Sequence, residues 1–296
     1  MSLPNFVIAG TARSGTTSLY YYLKQHPDIC FPDKKEPKYF SAQGQTFPHH
    51  GPGDRNVDRL MVRDFDDYQH LFEGCGDAPR IGEASSDYLY FHRHSAAGMR
   101  EVLGDVPIIL CLRDPVERAW SAYNNLVRDQ REFLSFSQAL KAEEQRLAEN
   151  WDWMWAYKDG GLYADQVATF LDTFSRVKVV LFEDLKADAN SVVRQLFTFL
   201  DVDASVTVDT GTRYSHSGKA KNRFIAFLSN RGNPVAFMMR QAVLRLVPRA
   251  MLEKLASRSL EKEEIEAATR TELRAFFADD IARLESMLGL SLEAWR

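Results

Sequence analysis

Residues 10–17, Gly-Thr-Ala-Arg-Ser-Gly-Thr-Thr, have the types and spacing of a loop that grips a phosphate. An apolar run, Phe6–Ala9, precedes them, and a helix-patterned stretch begins at Thr17. Strand, glycine loop and helix N-terminus in that order aim several backbone N–H groups at one point, where the helix dipole also favours an anion. The nucleotide triphosphatase version of such a loop is G-x-x-x-x-G-K-[ST], with its lysine on the β- and γ-phosphates. Here Gly10 and Gly15 keep the spacing and Thr17 the hydroxyl, but Thr16 replaces the lysine and the cation, Arg13, stands inside the loop. This loop is poorly equipped to drive ATP hydrolysis. It suits a 5′-phosphate whose partner is not a third phosphate.

A second anion-binding candidate is Leu112-Arg113-Asp114-Pro115-Val116-Glu117-Arg118-Ala119-Trp120-Ser121-Ala122-Tyr123. A strand ends at Leu112, Asp114 can cap the next helix, and Pro115 suits its first turn. Arg113 then leaves the strand end toward a cleft, and Ser121 lies two helical turns further on. Arg113 can pair with an acidic neighbour or grip a second phosphate through two N–H groups.

Together, Thr-Ala-Arg-Ser-Gly-Thr-Thr-Ser-Leu and Leu-Arg-Asp-Pro-Val-Glu-Arg-Ala-Trp-Ser-Ala-Tyr resemble the two nucleotide-binding segments of the sulfotransferases that use 3′-phosphoadenosine 5′-phosphosulfate (PAPS). Gln25-His26-Pro27, Lys35-Glu36-Pro37-Lys38-Tyr39-Phe40, Gly82-Glu83-Ala84-Ser85-Ser86-Asp87-Tyr88, Val179–Leu185 and Leu290–Trp295 extend the resemblance over nearly the whole chain. It implies a P-loop-like three-layer α/β fold and transfer of a sulfuryl group from PAPS to an acceptor hydroxyl or amine, releasing 3′,5′-ADP. By position, Arg13, Ser14, Gly15, Thr16, Thr17 and Ser18 match the wrap around the 5′-phosphosulfate, and Arg113 with Ser121 matches the 3′-phosphate ligands. Ser217–Arg223, with Lys219, resembles the basic loop that closes over the nucleotide. The resemblance also implies that no metal is needed, and the sequence shows no clustered carboxylate and histidine set with metal-ligand spacing.

An acceptor hydroxyl must lose a proton as it attacks sulfur, and the leaving phosphate oxygen must be stabilised. Carbohydrate-type members of the family carry the catalytic glutamate in segments like Lys-Glu-Pro-Lys-Tyr-Phe, which makes Glu36 the candidate base and Arg13 the catalytic cation. Glu83, at another strand end, could orient acceptor or hold a loop. In heparan-type enzymes a Glu-Lys-Thr-Pro-like segment supplies a catalytic lysine; Ala84 holds that place here, with Lys35 or Lys38 as candidate substitutes. His26 reads as a turn residue, and His49 and His50 as loop residues that could face acceptor. The acceptor itself, whether small molecule, carbohydrate or carrier-bound, is not legible. A small-metabolite kinase and a non-catalytic nucleotide-binding protein are the competing readings.

Short apolar or β-branched runs at Phe6–Ala9, Arg80–Ala84, Pro107–Leu112 and Val177–Phe182 predict buried strands. Helical patterns at 17–25, 95–103, 115–128, 136–150, 162–174, 190–200 and 262–287 lie between or after them. That alternation predicts a central, mostly parallel sheet flanked by helices, with ligands at the carboxyl ends of its strands. No linker divides the 296 residues, so one domain, 1–296, is expected. Gln43–Arg59 and Thr207–Asn233 read as irregular, the former as a surface loop. Arg231–Arg258 is basic and amphipathic; packing on its own domain is preferred to a membrane surface. A net charge of −4 argues against a nucleic-acid partner. Three cysteines without paired spacing fit a reducing compartment and no disulfide scaffold, and with no leader or long apolar run the expected location is cytoplasmic.

Overall fold

The structure, a computed structural model, describes residues 3–212 and 264–296, together with the backbone of 219–220 and 260–261. Its centre is a five-stranded, all-parallel sheet of β1 (Phe6–Gly10), β2 (Ile29–Cys30), β3 (Arg80–Ala84), β4 (Ile108–Leu112) and β5 (Val177–Leu181), in the order β2-β3-β1-β4-β5. The helices are α1 (Thr16–Leu23), α2 (Tyr39–Ala42), α3 (Asp54–Asp58), α4 (Phe65–His70), α5 (His92–Leu103), α6 (Pro115–Arg128), α7 (Phe136–Ala148), α8 (Tyr163–Thr173), α9 (Phe182–Ala187), α10 (Ala189–Phe199) and α11 (Ala267–Leu288).

Alternation along the strands builds the three layers. Phe6 and Ile8 of β1, with Ile109 and Cys111 of β4, face a cluster containing Leu19 and Leu23 of α1 and Val193, Leu196 and Phe197 of α10. Val7, Ala9, Ile108, Leu110 and Leu112 face the opposite cluster, which includes Met99 of α5, Leu126 of α6, Phe170 of α8 and Phe277 of α11. Central strands buried on both faces must be apolar throughout, which is why they read as short continuous runs. β1 is also where the chain's path across the sheet changes direction, so a crevice opens at its carboxyl end.

Three expectations are corrected. β2 was not anticipated, because two residues carry no periodicity. Gln43–Arg59 lies at the surface over much of its length, as expected, but it is not irregular throughout: it contains α3, and His49, Asp54 and Asp58 are buried in it. Asp54 organises it from within, accepting N–H bonds from Gly51 (2.8 Å) and Asp152 (2.9 Å) on Oδ2 and from Trp155 Nε1 (3.1 Å) on Oδ1. Finally, Cys30 and Cys75, 45 residues apart, form a disulfide, and only Cys111 is the buried thiol expected. The cysteine argument for a reducing compartment falls with that bridge. Among the described residues no helix is long and apolar enough to cross a membrane.

Gly82 of β3 sits against the rings of Phe6 and Phe31, where an added Cβ would lie 2.4 Å from each. Both rings are buried and pack edge to face, so neither can withdraw cheaply. Gly82→Ala is expected to lower unfolding free energy by about 1–3 kcal/mol, measured by denaturant titration; an unchanged midpoint would contradict this packing.

Candidate functional site

The loop after β1 holds three successive special conformations: Gly10 at φ 154°, Arg13 at 71° and Gly15 at 93°. The glycines are sterically required, since a Cβ on Gly10 would lie 2.5 Å from Leu89 Cβ and one on Gly15 would lie 2.9 Å from both Phe182 and Leu185. Arg13, an ordinary residue held left-handed, is the kind of local strain that marks functional loops. α1 starts at Thr16 with no side-chain cap and no acidic residue in its first turn, leaving its positive end uncompensated. Ser14 and Thr16 are buried, while Thr17 and Ser18 are half-buried on the first turn.

The second segment folds as its residues predict. Asp114 Oδ1 accepts from Val116 N–H at 2.9 Å, Pro115 opens α6, and the helix ends at Arg128. Arg113 leaves the end of β4 with its guanidinium carbon 4.8 Å from the centre of the Phe182 ring, and its Nη1 donates to the Arg13 carbonyl at 3.1 Å. Burial pulls the Arg113 pKa down, against the nearby carboxylates of Glu117 and Glu183. Arg13 in turn donates from Nε to Ser121 Oγ (3.1 Å) and from Nη1 to Asn125 Oδ1 (3.2 Å). The two anion-binding segments, 100 residues apart in sequence, are thus in direct contact. Asn125 is a site residue that sequence reading missed. It lies four residues after Ser121 on the same helical face, a spacing that could have found it.

Glu36 and Lys38 also have left-handed backbones, at φ 61° and 59°. The Glu36 carboxylate accepts from Lys35 Nζ (2.6 Å), Ser86 N–H (3.0 Å) and Ser86 Oγ (2.9 Å). Burial alone would raise its pKa, but the charges of Lys35 and Lys38 and the Ser86 N–H hold it below the ordinary range. Ser86 also joins the two halves of the site, since its carbonyl lies 3.2 Å from the position a Gly10 Cβ would take.

Glu83 is fully buried and does not line the cleft. It accepts from Tyr68 OH (2.6 Å) and Ser85 Oγ (2.8 Å), and Ser85 Oγ accepts the Lys38 N–H at 3.0 Å. Glu83 therefore holds the turn that presents Glu36. Lys38 Nζ lies 3.8 Å from Asp87 Oδ2 and 5.5 Å from the centre of the Trp153 ring, its charge favoured by Asp87, Asp152 and Glu36 against the cost of burial.

The remaining candidates separate. His26 is a turn residue, accepting Asp28 N–H on Nδ1 (3.1 Å) with Nε2 on the Asp203 carbonyl (3.0 Å). His50 Nδ1 meets the Glu149 carbonyl. His49 is buried against Asp58 and Asp152, a histidine–carboxylate set that sequence spacing did not reveal. Lys219 is described only as backbone, in a two-residue antiparallel pairing with 260–261; the rest of Ser217–Arg223 and all of 231–258 lie outside the described residues. Trp153 and Trp155 are core residues.

A sequence profile described as the Sulfotransferase family matches residues 4–205. The membrane-associated sulfotransferase kil1 of Dictyostelium discoideum is 36% identical over 124 residues, 42% of this chain and 23% of that protein. Carbohydrate sulfotransferase 15 of Mus musculus is 25% identical over 249 residues, 68% of this chain and 44% of its own. Heparan sulfate glucosamine 3-O-sulfotransferase 3B1 of Homo sapiens is 25% identical over 208 residues, covering 69% and 48% respectively. The chain spans less than half the length of these relatives. Among solved structures, a sulfotransferase from Alicyclobacillus acidocaldarius is similar over 100% of both chains, with 37% identity and a TM-score of 0.81.

Burial raises the Glu83 pKa from 4.5 to about 7 despite its Tyr68 and Ser85 hydrogen bonds. A carboxyl whose folded pKa is the higher one stabilises the fold fully below its unfolded value, and that contribution is lost as pH rises toward the folded one. Part of the stability is therefore expected to fall between about pH 4.5 and pH 7, and Glu83→Gln is expected to flatten that slope. Melting temperatures of the two proteins across this range check it; parallel curves would refute the assignment.

Proposed function

The chain belongs to the Sulfotransferase family, and on that premise we propose that it moves a sulfuryl group from PAPS to an acceptor hydroxyl, or an amine, releasing 3′,5′-ADP. The observation that carries this reading is the contact between the two anion-binding segments. Arg13 spans from the β1 loop to Ser121 of α6, and Arg113 donates to the Arg13 carbonyl. Cradles that touch can grip the 5′ and 3′ ends of one adenosine bisphosphate.

In this mechanism the loop N–H groups, the N-terminus of α1 and Arg13 bind the 5′-phosphosulfate, with the hydroxyls of Ser14, Thr16, Thr17 and Ser18 around it. Arg113 and Ser121 take the 3′-phosphate, and Lys219 is assigned to the nucleotide by resemblance. The acceptor oxygen attacks sulfur in line, a new O–S bond forms, and the bond from sulfur to the bridging phosphate oxygen breaks. Its electron pair stays on the phosphate, where Arg13 and the loop amides meet the developing charge. The acceptor proton passes to Glu36. A carboxylate held below its ordinary pKa is fully ionised at neutral pH, and it gains basicity when acceptor binding displaces Lys35 or water from it. Lys38, set among Glu36, Asp87 and Asp152, supplies fixed positive charge where Ala84 gives none.

The acceptor is proposed as a small molecule, a carbohydrate or a carrier-bound group, the relatives named above including carbohydrate and heparan sulfate sulfotransferases. A kinase reading is disfavoured by Thr16 at the lysine position.

Two substitutions test the proposal by different readouts. Glu36→Gln is expected to lower kcat by roughly 10²–10⁴-fold with 3′,5′-ADP affinity unchanged, measured by product formation and calorimetry. A non-catalytic nucleotide-binding protein would show no turnover to lose. Arg113→Ala is expected to weaken 3′,5′-ADP by about 10–100-fold while changing 5′-AMP little. Equal losses for both nucleotides would refute the assignment of Arg113 to the 3′-phosphate.

A further inference from the structure

Behind the turn that presents Glu36, the fold gathers more buried negative charge than the facing cations neutralise. Asp54, Asp87 and Asp152 are 0% exposed and Asp58 5% exposed. Arg131 pairs with Asp54, and Lys38 faces Asp87 and Asp152. Arg63 Nη2 donates to the Asp58 backbone carbonyl at 3.0 Å, so four carboxylates meet three cations, and the group between Asp58 and Asp152 is His49, 4% exposed. His49 Nδ1 lies 2.6 Å from Asp58 Oδ1 and 4.0 Å from Asp152 Oδ2, while its backbone N–H donates to Asp58 Oδ2 at 2.9 Å. Asp152 Oδ1 accepts the Met154 N–H at 2.8 Å, but its Oδ2, buried and turned toward His49, has no hydrogen-bond partner among the described residues. An unpartnered oxygen on a buried carboxylate is costly and calls for a ligand.

We propose that His49, Asp58 and Asp152 bind a divalent cation of the zinc or manganese class. One imidazole nitrogen with two carboxylate oxygens is a mixed N/O set, which suits these ions better than magnesium or calcium, whose ligands are oxygens, or copper(I), which favours sulfur. The ligand atoms lie within 4.8 Å of one another. Atoms bonded to one tetrahedral ion at about 2.1 Å stand roughly 3.4 Å apart, so the widest pair must draw in by more than about an ångström, and the His49–Asp58 pair at 2.6 Å must open, to close the site. The hydrogen that Nδ1 shares with Asp58 moves to Nε2, and the ion takes its place. Bound there, the ion clasps segment 47–58 to the turn bearing Trp153, whose ring lies 5.5 Å from Lys38 Nζ. None of the three ligands is assigned a step of the sulfuryl transfer, although Asp152 also faces Lys38, and the test does not require turnover.

The experiment uses the full chain without an affinity tag, stripped by chelator, reloaded separately with Zn²⁺ and Mn²⁺, and desalted. Elemental analysis is expected to find about one equivalent of one ion per chain, with a melting temperature above that of the stripped protein. Asp152→Asn removes the unpartnered charge and keeps the Met154 bond, so its stripped form should melt no lower than the wild type while binding the ion at least ~10-fold more weakly. X-ray absorption of the loaded wild type supplies a readout independent of any variant's folding, and one imidazole with oxygen ligands is expected. A wild type that retains no ion and shows no melting shift would overturn the proposal. Equal binding by Asp152→Asn, or a sulfur-containing shell, would overturn it as well.

Discussion

The contact from Arg13 to Ser121 and Asn125 fixes the relation between the two halves of the proposed nucleotide site. It reaches from the loop after β1 to a helix that begins only after β4, so its geometry depends on β1 and β4 being neighbours in the sheet. A guanidinium presents a planar fork of donors, and here that fork is engaged by a hydroxyl and an amide oxygen, neither carrying charge. Phosphate oxygens can take the places of these two neutral groups. Arg113 also has carboxylates beside it, with Glu117 at 3.8 Å and Glu183 adding to its charge balance.

The same distinction separates the two glutamates. Glu36 and Glu83 both lie against the segment after β3, yet one is held acidic and the other driven up to about 7. The difference is in their neighbours: Glu36 has two lysines and a backbone N–H, whereas Glu83 has hydroxyls and a full burial cost. Sequence puts Glu83 at a strand end and, by resemblance, makes Glu36 the candidate base with Glu83 in reserve. Packing separates their surroundings, turning Glu83 inward to Tyr68 and Ser85 and leaving Glu36 half-buried beside Ser86.

What was legible in the chain follows from the range over which each signal acts. The strands β1, β3, β4 and β5, and the full extent of α6 with its Asp114 cap, rest on local periodicity and capping chemistry, and they read correctly to within a residue or two. The turn after β1 was legible because its glycines are demanded by close approach to Leu89, Phe182 and Leu185. The Cys30–Cys75 bridge and the His49–Asp58–Asp152 set were hidden because their members are distant in sequence and meet only after the sheet forms. Segment 43–59 was read only in part for a related reason. Its glycines, prolines and histidines look like a loop, and much of it is exposed, but Asp54 within it is buried and accepts four hydrogen bonds that anchor α3.

The displaced cation gives these particulars a common cause. A lysine on the first turn of a helix points along the loop axis at the far end of a triphosphate. An arginine inside the loop, held left-handed, instead turns back across the loop toward α6. Its charge then lies between the loop after β1 and the Ser121 hydroxyl, which under the proposed function is where a nucleotide bearing phosphates at both ends of its ribose would use it. On that proposal, threonine at position 16 with arginine at 13 exchanges a site for a chain of phosphates for a site for two separate ones.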